Sequence, residues 1–255
     1  MSNDINQDIA KELVAQTAGR TYDDLAHPTA NATGQLVSFI PRTIKVWLGK
    51  WEKWILNGEY AIKETEVLLE EKLRNIPEEK IVEPEPYVAI PAIQQLTYSL
   101  DSEELRELYA NLLASSMNSD KKSDVHPAFV DIIKQLAPDE AKLLRYLSHQ
   151  IVIPLVEIRQ KSLGGKGYTV LQKYHLNIPE GVLELPQNMP VYIENLIRLQ
   201  MIEIPADAHY TAEELYTPLE TQTVFIGIPN ETIKYDRKIV NVTPFGKQFV
   251  KICQQ

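Results

Sequence analysis

The sequence predicts a mainly α protein in which a helical N-terminal domain precedes a smaller α+β C-terminal domain. Two observations support this prediction. Up to residue 147, apolar residues recur at steps of three and four, which is the spacing of one helix face. After about residue 150, prolines and glycines separate shorter segments, some of them rich in β-branched residues. We therefore predict a helical domain over residues 1–137, in which residues 1–35 are a lead-in without a clear pattern, and a second domain over residues 138–255.

Composition and charge narrow the class of protein. The chain of 255 residues has a formal net charge of −9, and residues 1–138 carry most of it, with 14 basic against 22 acidic side chains. This balance argues against a nucleic-acid protein that depends on a strong positive field. The sequence has one cysteine, no apolar N-terminal signal and no run of 18 apolar residues. We therefore expect a cytoplasmic protein without a membrane span.

The helical pattern includes a stripe of tryptophans. Apolar residues from Leu36 to Ile55 follow helical spacing, and Trp47, Trp51 and Trp54 lie among them, interleaved with lysines. Core packing explains such a stripe, but aromatic and cationic residues on one amphipathic helix also form faces that bind membrane surfaces or partners. Trp47, Trp51 and Trp54 are therefore our candidate membrane or partner face.

A proline-rich segment, "IVEPEPYVAIPA" at residues 81–92, interrupts the helical pattern. Proline fixes its own backbone and disfavours the helical conformation in the residue before it, and prolines occur at positions 77, 84, 86 and 91. We therefore predict a proline-rich extended strap over residues 77–91 that connects helical layers and covers apolar surface. A groove-binding PxxP motif is the alternative, but these prolines do not have its spacing.

The C-terminal domain shows the element order of a winged-helix-like fold. Three helical segments up to residue 201 are followed by a short strand ("MIEI"), a β-rich segment ("ETQTVFIGIP") and a final helix that begins at Thr243-Pro244. The helix "PVYIENLIRLQM" would enter the major groove of DNA, which makes Asn195, Arg198 and Gln200 candidate nucleic-acid contacts. Residues 139–255 carry 12 basic and 13 acidic side chains and so lack the cationic surplus of DNA binders. We therefore favour protein docking for this domain.

Three sequence blocks resemble a known family. They are "EKLRNIPEEKIVEPEPYVAIPAIQQLTY", "EELRELYANLLASSM" and "HPAFVDIIKQLAPDEAKLLRYL", and they are similar to successive blocks of the bacterial abortive infection alpha family. The segment "VTPFGKQF" extends the resemblance towards the C-terminus. The resemblance implies phage defence by abortive infection, in which an infected cell dies before progeny are released. No catalytic residues are attached to these motifs, so the resemblance implies a process and no reaction.

The sequence shows no motif that requires catalysis, a metal or a cofactor. The five histidines lack metal-ligand spacing, and the single cysteine, Cys253, has no histidine near it in the sequence. The segment "LGGKGYT" lacks the spacing of a phosphate-binding loop, and we interpret it as a flexible turn. We therefore expect a protein that is not an enzyme and that has no cofactor and no small-molecule substrate.

Three functions are consistent with these patterns. Our main expectation is a non-catalytic phage-defence factor that works through a protein partner or a homo-oligomer. The first alternative is a winged-helix DNA-binding regulator, with nucleic acid as its partner. The second is a membrane-active death effector, in which the tryptophan face makes a peripheral membrane contact.

Overall fold

The computed structural model describes residues 42–51, 58–74, 76–99, 102–162, 164, 166–221, 225 and 228–254. The helices of the first half are α1 (Arg42–Trp51), α2 (Gly58–Leu73), α3 (Pro86–Tyr98), α4 (Glu103–Ser116), α5 (Ala128–Lys134) and α6 (Pro138–Ser148). Those of the second half are α7 (Met189–Arg198), α8 (Thr217–Thr221) and α9 (Pro244–Cys253). The strands are β1 (Pro154–Lys161), β2 (Tyr168–His175), β3 (Ile202–Glu203), β4 (Ile233–Ile239) and β5 (Asn241–Val242). The prediction of a mainly α protein with a smaller β component is confirmed.

Helix α4 runs through the centre of the helical layer. The nine consecutive residues Leu108–Ser116 are buried, and the helix packs against α2, α3, α5, α6 and α9. Because a helix that is buried all round has no side facing water, its polar side chains need partners within the protein. Tyr109 donates a hydrogen bond to the carbonyl of Val130 at 3.3 Å, and Ser116 donates to the carbonyl of Leu113 at 2.6 Å.

The predicted extended strap is wrong in its second half, where the chain forms α3. In its first half, Glu78–Lys80 form a short 3-10 helix, which also departs from the extended prediction. Residues 82–85 lie outside helices, and Ile81 forms an isolated antiparallel bridge with Asn118. At residue 86, however, proline occupies the first turn of α3, where its missing N–H is no loss because that group has no partner within a helix. The prediction was wrong at this position because proline does not break a helix in its first turn.

Burial explains why α3 also continues through Pro91, which lies inside the helix. A proline in a helix interior costs about 3 kcal/mol, whereas burying a single large aliphatic side chain stabilises by about 1.5–3 kcal/mol. Helix α3 buries a whole face, and this face packs against α4. The buried residues are Val88, Ala89, Ala92, Ile93 and Leu96.

A β hairpin between α6 and α7 is the largest difference from the predicted element order. Strands β1 and β2 pair antiparallel, and β4 pairs antiparallel with the other edge of β1, which gives the sheet order β2-β1-β4. Val156 and Ile158 of β1 belong to a second, smaller core that also contains Tyr216, Leu219 and Ile233. Strand β1 of the hairpin therefore packs in a second hydrophobic core that is distinct from the main core.

The elements around α7 and α9 follow the prediction more closely. Helix α7 ends at Arg198, the predicted strand "MIEI" contains β3, and α9 begins at Pro244 after its N-cap residue Thr243. The predicted strand "ETQTVFIGIP" begins with the last two residues of α8. Most of its remaining residues lie outside the described part of the chain.

The turn after α7 and the start of α9 fit together closely. Gln200 has a φ of 58° in this turn, and the Thr243 hydroxyl donates to the Gln200 carbonyl at 2.6 Å. The same hydroxyl accepts the N–H of Gly246 at 2.9 Å. A Cβ atom at position 246 would lie 2.1 Å from the carbonyl oxygen of Met201. Glycine is therefore required for α9 to approach the chain at this distance.

One main hydrophobic core spans both predicted domains. It contains Leu113 of α4, Leu144 of α6 and Ile252 of α9, all of which are fully buried. The core thus continues across the predicted boundary between residues 137 and 138. The division into two domains at this position stays a prediction.

We predict that Gly246→Ala lowers the free energy of unfolding by about 1–3 kcal/mol, the usual cost of forcing extra volume into a packed site. The clash involves a backbone oxygen, which cannot rotate away as the end of a flexible side chain can. Urea unfolding followed by circular dichroism measures this loss.

Gly49→Ala is the matched control, because Gly49 also lies in a helix but has nothing within 4 Å of the position of an added Cβ. Alanine there should be neutral or stabilise by about 0.5–1 kcal/mol. Equal stability of the two variants would contradict the close packing of α9 on Met201.

Candidate functional site

Helix α3 has an uncharged face on which two tyrosines are exposed, while Ile90 and Gln94 between them are half-buried. Its sequence, "PYVAIPAIQQLTY", contains no Asp, Glu, Lys or Arg, and Tyr87 and Tyr98 are 63% and 65% exposed. Positions 87, 90, 94 and 98 follow helical spacing over about three turns, so they share one face. We call Tyr87, Ile90, Gln94 and Tyr98 the α3 outer stripe. Such a face suits a protein contact, because interface centres are enriched in tyrosine and depleted of charge.

A groove of about 450 Å³ opens beside Tyr87 at the start of α3. We call it the α3 groove. Lys122 lies in its wall and holds the chain segment before α3, through an ion pair with Glu85 at 2.9 Å and a hydrogen bond to the carbonyl of Glu83 at 2.8 Å. The lining also includes Ser119 and Ser116, although the Ser116 hydroxyl already donates to the Leu113 carbonyl. The groove therefore lies beside the apolar contact that the α3 outer stripe offers and has a partly polar lining.

The predicted nucleic-acid residues lie against the connection between α5 and α6. The Asn195 side-chain amide donates to the Glu140 carboxylate at 2.6 Å and to the Gln135 carbonyl at 3.0 Å. Arg198 donates to the Asn195 side-chain oxygen and, at 3.0 Å, to the Gln135 side chain. Gln200 donates back to a carbonyl near the end of α7 at 3.2 Å. These contacts hold α7 in place, and DNA contact by these residues stays a prediction.

Asp139, at the start of α6, anchors the chain segment that precedes α7. Its side chain is buried and accepts the N–H groups of Glu184 and Leu185 at 3.0 and 2.8 Å, and the Tyr192 hydroxyl at 3.3 Å. Burial acts to raise the pKa of Asp139, but these donors and nearby Lys142 outweigh burial, so the pKa is lowered. The folded protein therefore stabilises the charged form of this carboxylate.

The pKa of Glu140, the next residue, is shifted in the opposite direction. One of its oxygens accepts both the N–H of Ala137 at 2.9 Å and the Asn195 amide at 2.6 Å. Burial raises the pKa of Glu140, because these hydrogen bonds and the charge of Arg198 do not fully offset the loss of water. The two neighbouring carboxylates thus have pKa values that are shifted apart, yet the contacts of both are structural.

The tryptophan face can be described only at Trp47. This side chain is half-buried and packs against the main core, while the side chain of Trp51 and all of Trp54 lie outside the described residues. The candidate membrane or partner face therefore stays a prediction. Over the described ranges, no helix is long and apolar enough to cross a membrane.

The other residues considered for a chemical role have contacts or backbone conformations that are typical of structural roles. Burial raises the pKa of the Cys253 thiol well above its ordinary value, which disfavours the nucleophilic thiolate. His126 accepts the N–H of Ala128 at 3.1 Å through Nδ1, at the start of α5. The glycine-rich segment joins β1 to β2, and Gly164 has a φ of 97°, which glycine adopts readily. Among the described residues, no group of three or more His, Cys, Asp or Glu side chains could hold a metal ion.

Comparison with known proteins identifies the family. Residues 57–253 match the family model described as abortive infection alpha. The match covers most of the chain, so the chain belongs to the abortive infection alpha family, and the resemblance seen in the sequence is confirmed. This membership suggests a role in abortive infection.

No curated protein shows significant similarity to the chain. A solved structure of an uncharacterized protein from the hydrocarbon-degrading marine bacterium Alcanivorax borkumensis SK2 aligns with a TM-score of 0.34 and 18% sequence identity. This alignment covers 54% of the present chain and 96% of the other chain.

Sequence reasoning assigned no functional residue to α3, because the prolines indicated an extended chain. The signal that identifies the helix is the spacing of its apolar residues. Val88, Ala89, Ala92, Ile93 and Leu96 recur with helical period, and Tyr87 and Tyr98 fall on the face opposite to them. The absence of charge on this second face is equally visible in the sequence.

We predict that Asp139→Asn and Glu140→Gln differ in stability at neutral pH. Asparagine has only one oxygen for the three donors that Asp139 accepts, and leaving a buried donor unpaired costs about 1–3 kcal/mol. Glu140→Gln keeps an oxygen for both donors and removes a buried charge, so unfolding free energy should stay within about 1 kcal/mol of the parent. Urea unfolding at pH 7 measures both variants, and equal losses would contradict the assigned contacts.

The same two variants should also differ in how the free energy of unfolding changes as the pH is lowered into the acid range. Because the pKa of Asp139 is lowered on folding, its stabilisation is complete above its unfolded pKa of about 3.9 and is lost as pH falls through the lower folded value. The raised pKa of Glu140 acts in the other direction: its contribution is complete below its unfolded pKa of about 4.3 and is lost as pH rises through the folded value. Asp139→Asn should therefore flatten the loss of stability in acid, and Glu140→Gln should steepen it.

Proposed function

We propose that this chain is a phage-defence factor of abortive infection that acts without catalysis, by associating in the cytoplasm with a protein partner or a second copy. Family membership supports the process. The α3 outer stripe supports the mode of action, because it is an uncharged helix face with two tyrosines that are each more than half exposed. This stripe is the observation that carries the proposal.

Covering the α3 outer stripe would stabilise a complex. A tyrosine contributes about 150–250 Å² of surface, and apolar area stabilises by about 25 cal/mol per Å² when it leaves water. Burying the exposed parts of Tyr87 and Tyr98 therefore contributes on the order of a few kcal/mol towards the cost of association. Polar residues in the lining of the α3 groove, such as Ser119, would help to fix the orientation of the partner.

We also propose that α6, α7 and the β3–β5 pair form a winged-helix-like unit that serves in protein docking. This proposal is supported by strand β3, which follows α7 and pairs with β5 just before α9. Asn195 and Arg198 of α7 bond to Gln135 and Glu140, and this supports docking over base reading by this helix. A DNA-binding regulator that reads bases through α7 is accordingly the less supported function.

In a phage-sensitive host that expresses this chain, we predict early loss of viable cells and a reduced phage burst in a one-step growth curve. Tyr87→Glu combined with Tyr98→Glu should restore the burst. A buried charge without a partner costs several kcal/mol, so association should weaken by at least about tenfold. Light scattering coupled to size-exclusion chromatography, together with cross-linking in infected cells, measures the association directly.

Val67→Glu is the matched control, because Val67 is 65% exposed but lies on α2, outside both the α3 outer stripe and the proposed winged-helix-like unit. Circular dichroism should show that both variants fold. Retained protection in the double variant, or equal loss in Val67→Glu, would exclude the α3 outer stripe as the docking surface. A normal burst with the parent chain across a panel of phages would contradict the phage-defence role itself.

A further inference from the structure

The three-stranded sheet has a face on which basic residues collect. Directly opposed residues of an antiparallel pair share a face, as do alternate residues of one strand. Arg159 is paired with Lys234, Lys161 with Tyr168, and Leu155 with Lys238. Arg159, Lys161, Tyr168, Lys234 and Lys238 therefore lie on the same side of the sheet. We call these five residues the basic sheet face.

This face is open towards the hairpin turn. The opposite side of the sheet carries Val156, Ile158 and Ile233, which are buried in the second core. Among the described residues, the basic side is covered towards Pro154, where Leu155 belongs to the main core and Glu157 is buried. At the other end, Lys161 and Lys234 are exposed and Tyr168 is 54% exposed. Lys166, in the turn between β1 and β2, adds one more exposed cation beside them.

The charges on this face leave a positive surplus. Its two acids, Glu157 and Asp236, are already paired: Lys238 donates to Glu157 at 2.7 Å, and Arg159 donates to Asp236 at 2.8 Å and also to Glu157. Lys161 and Lys234 form no ion pair with any described residue. The surplus is local, because the chain as a whole has a net charge of −9. A polyanion would therefore meet local attraction on this face although the net charge of the chain is negative.

The exposed ring of Tyr168, which lies among these cations, favours one kind of polyanion. Single-stranded nucleic acids bind to open sheets by stacking bases on aromatic rings while Lys and Arg contact the backbone phosphates. A duplex hides the faces of its bases, so Tyr168 would find no stacking partner there. The acidic segment 59–85 of a second copy also complements the charge, but exposed ion pairs between side chains contribute only about 0–1 kcal/mol each and leave the ring unused.

We propose that the basic sheet face binds single-stranded nucleic acid, with phosphates on Lys161, Lys234 and Lys166 and a base stacked on Tyr168. This site is separate from the α3 outer stripe and from the α7 residues, and it does not rest on the proposed association. In abortive infection it would give the protein a contact with unpaired DNA or RNA.

Fluorescence anisotropy with labelled oligothymidylate and oligouridylate of about 20 nucleotides tests the proposal on the full chain. Lys161→Glu with Lys234→Glu should weaken binding by at least tenfold. The slope of log affinity against log salt should shrink by about 0.7 for each phosphate contact that is lost. Tyr168→Ala should weaken binding about 5- to 100-fold without changing this slope, and Tyr168→Phe should retain binding, because the stacking ring is kept.

Lys134→Glu with Lys247→Glu is the matched control, since both lysines are exposed and the change in net charge is identical. Retained binding in this control supports the proposed site. Absence of binding by the parent chain at low salt overturns the proposal, and so does an equal loss in the control variant. If Lys161→Glu with Lys234→Glu instead abolishes self-association while oligonucleotides do not bind, the face contacts a second copy and the proposal is likewise overturned.

Discussion

The buried end of α9 is the constraint on which the helical layer depends. The last carbonyl groups of a helix have no partner within it, and in α9 these groups lie inside the protein. The side-chain amide of Asn111 donates to the Cys253 carbonyl at 3.0 Å, and the Ser115 hydroxyl donates to the Ile252 carbonyl at 3.0 Å. Asn111 and Ser115 are themselves buried in α4. Each helix thus satisfies polar groups that the other would leave unpaired, which ties the end of the chain to its middle.

This contact gives a physical reason for the motifs that carry the family resemblance. Asn111 belongs to the block "LYANLLA", Phe129 to "HPAF", and Gly246 to "VTPFGKQF". The Phe129 ring packs against Phe249 and Phe245 of α9 at centroid distances of 5.3 and 5.4 Å, and Gly246 permits the close approach of α9 to Met201. Blocks that are far apart in the sequence therefore meet on one helix. The packing of α9 thus gives these motifs a structural explanation.

The sequence predicted elements whose boundaries depend on local chemistry. Pro138 and Thr243-Pro244 open α6 and α9 as expected, because caps and first-turn prolines act over a few residues. The prediction was wrong where contacts between residues far apart in the sequence decide the secondary structure. Helix α3 forms despite its prolines because α4 covers one of its faces, and β1 is a strand because β4, some 80 residues later, pairs with it. The hydrogen bonds of Asn195 to Gln135 and Glu140 span about 60 residues and leave no local signal in the sequence. Nucleic-acid contact by the α7 residues stays a prediction.

The two proposed binding surfaces share one feature: the helix or strand that carries each surface packs against buried residues on its other side. The buried face of α3 rests on α4, and the apolar side of β1 rests on the second core. Tyr87, Tyr98 and Tyr168 are each more than half exposed, so burial of their rings contributes little to the stability of the fold. A binding surface built in this way can change its side chains without disturbing the packing beneath it. The proposed association through α3 and the proposed nucleic-acid binding through the sheet are therefore separable, and variants of the one surface should leave the other intact.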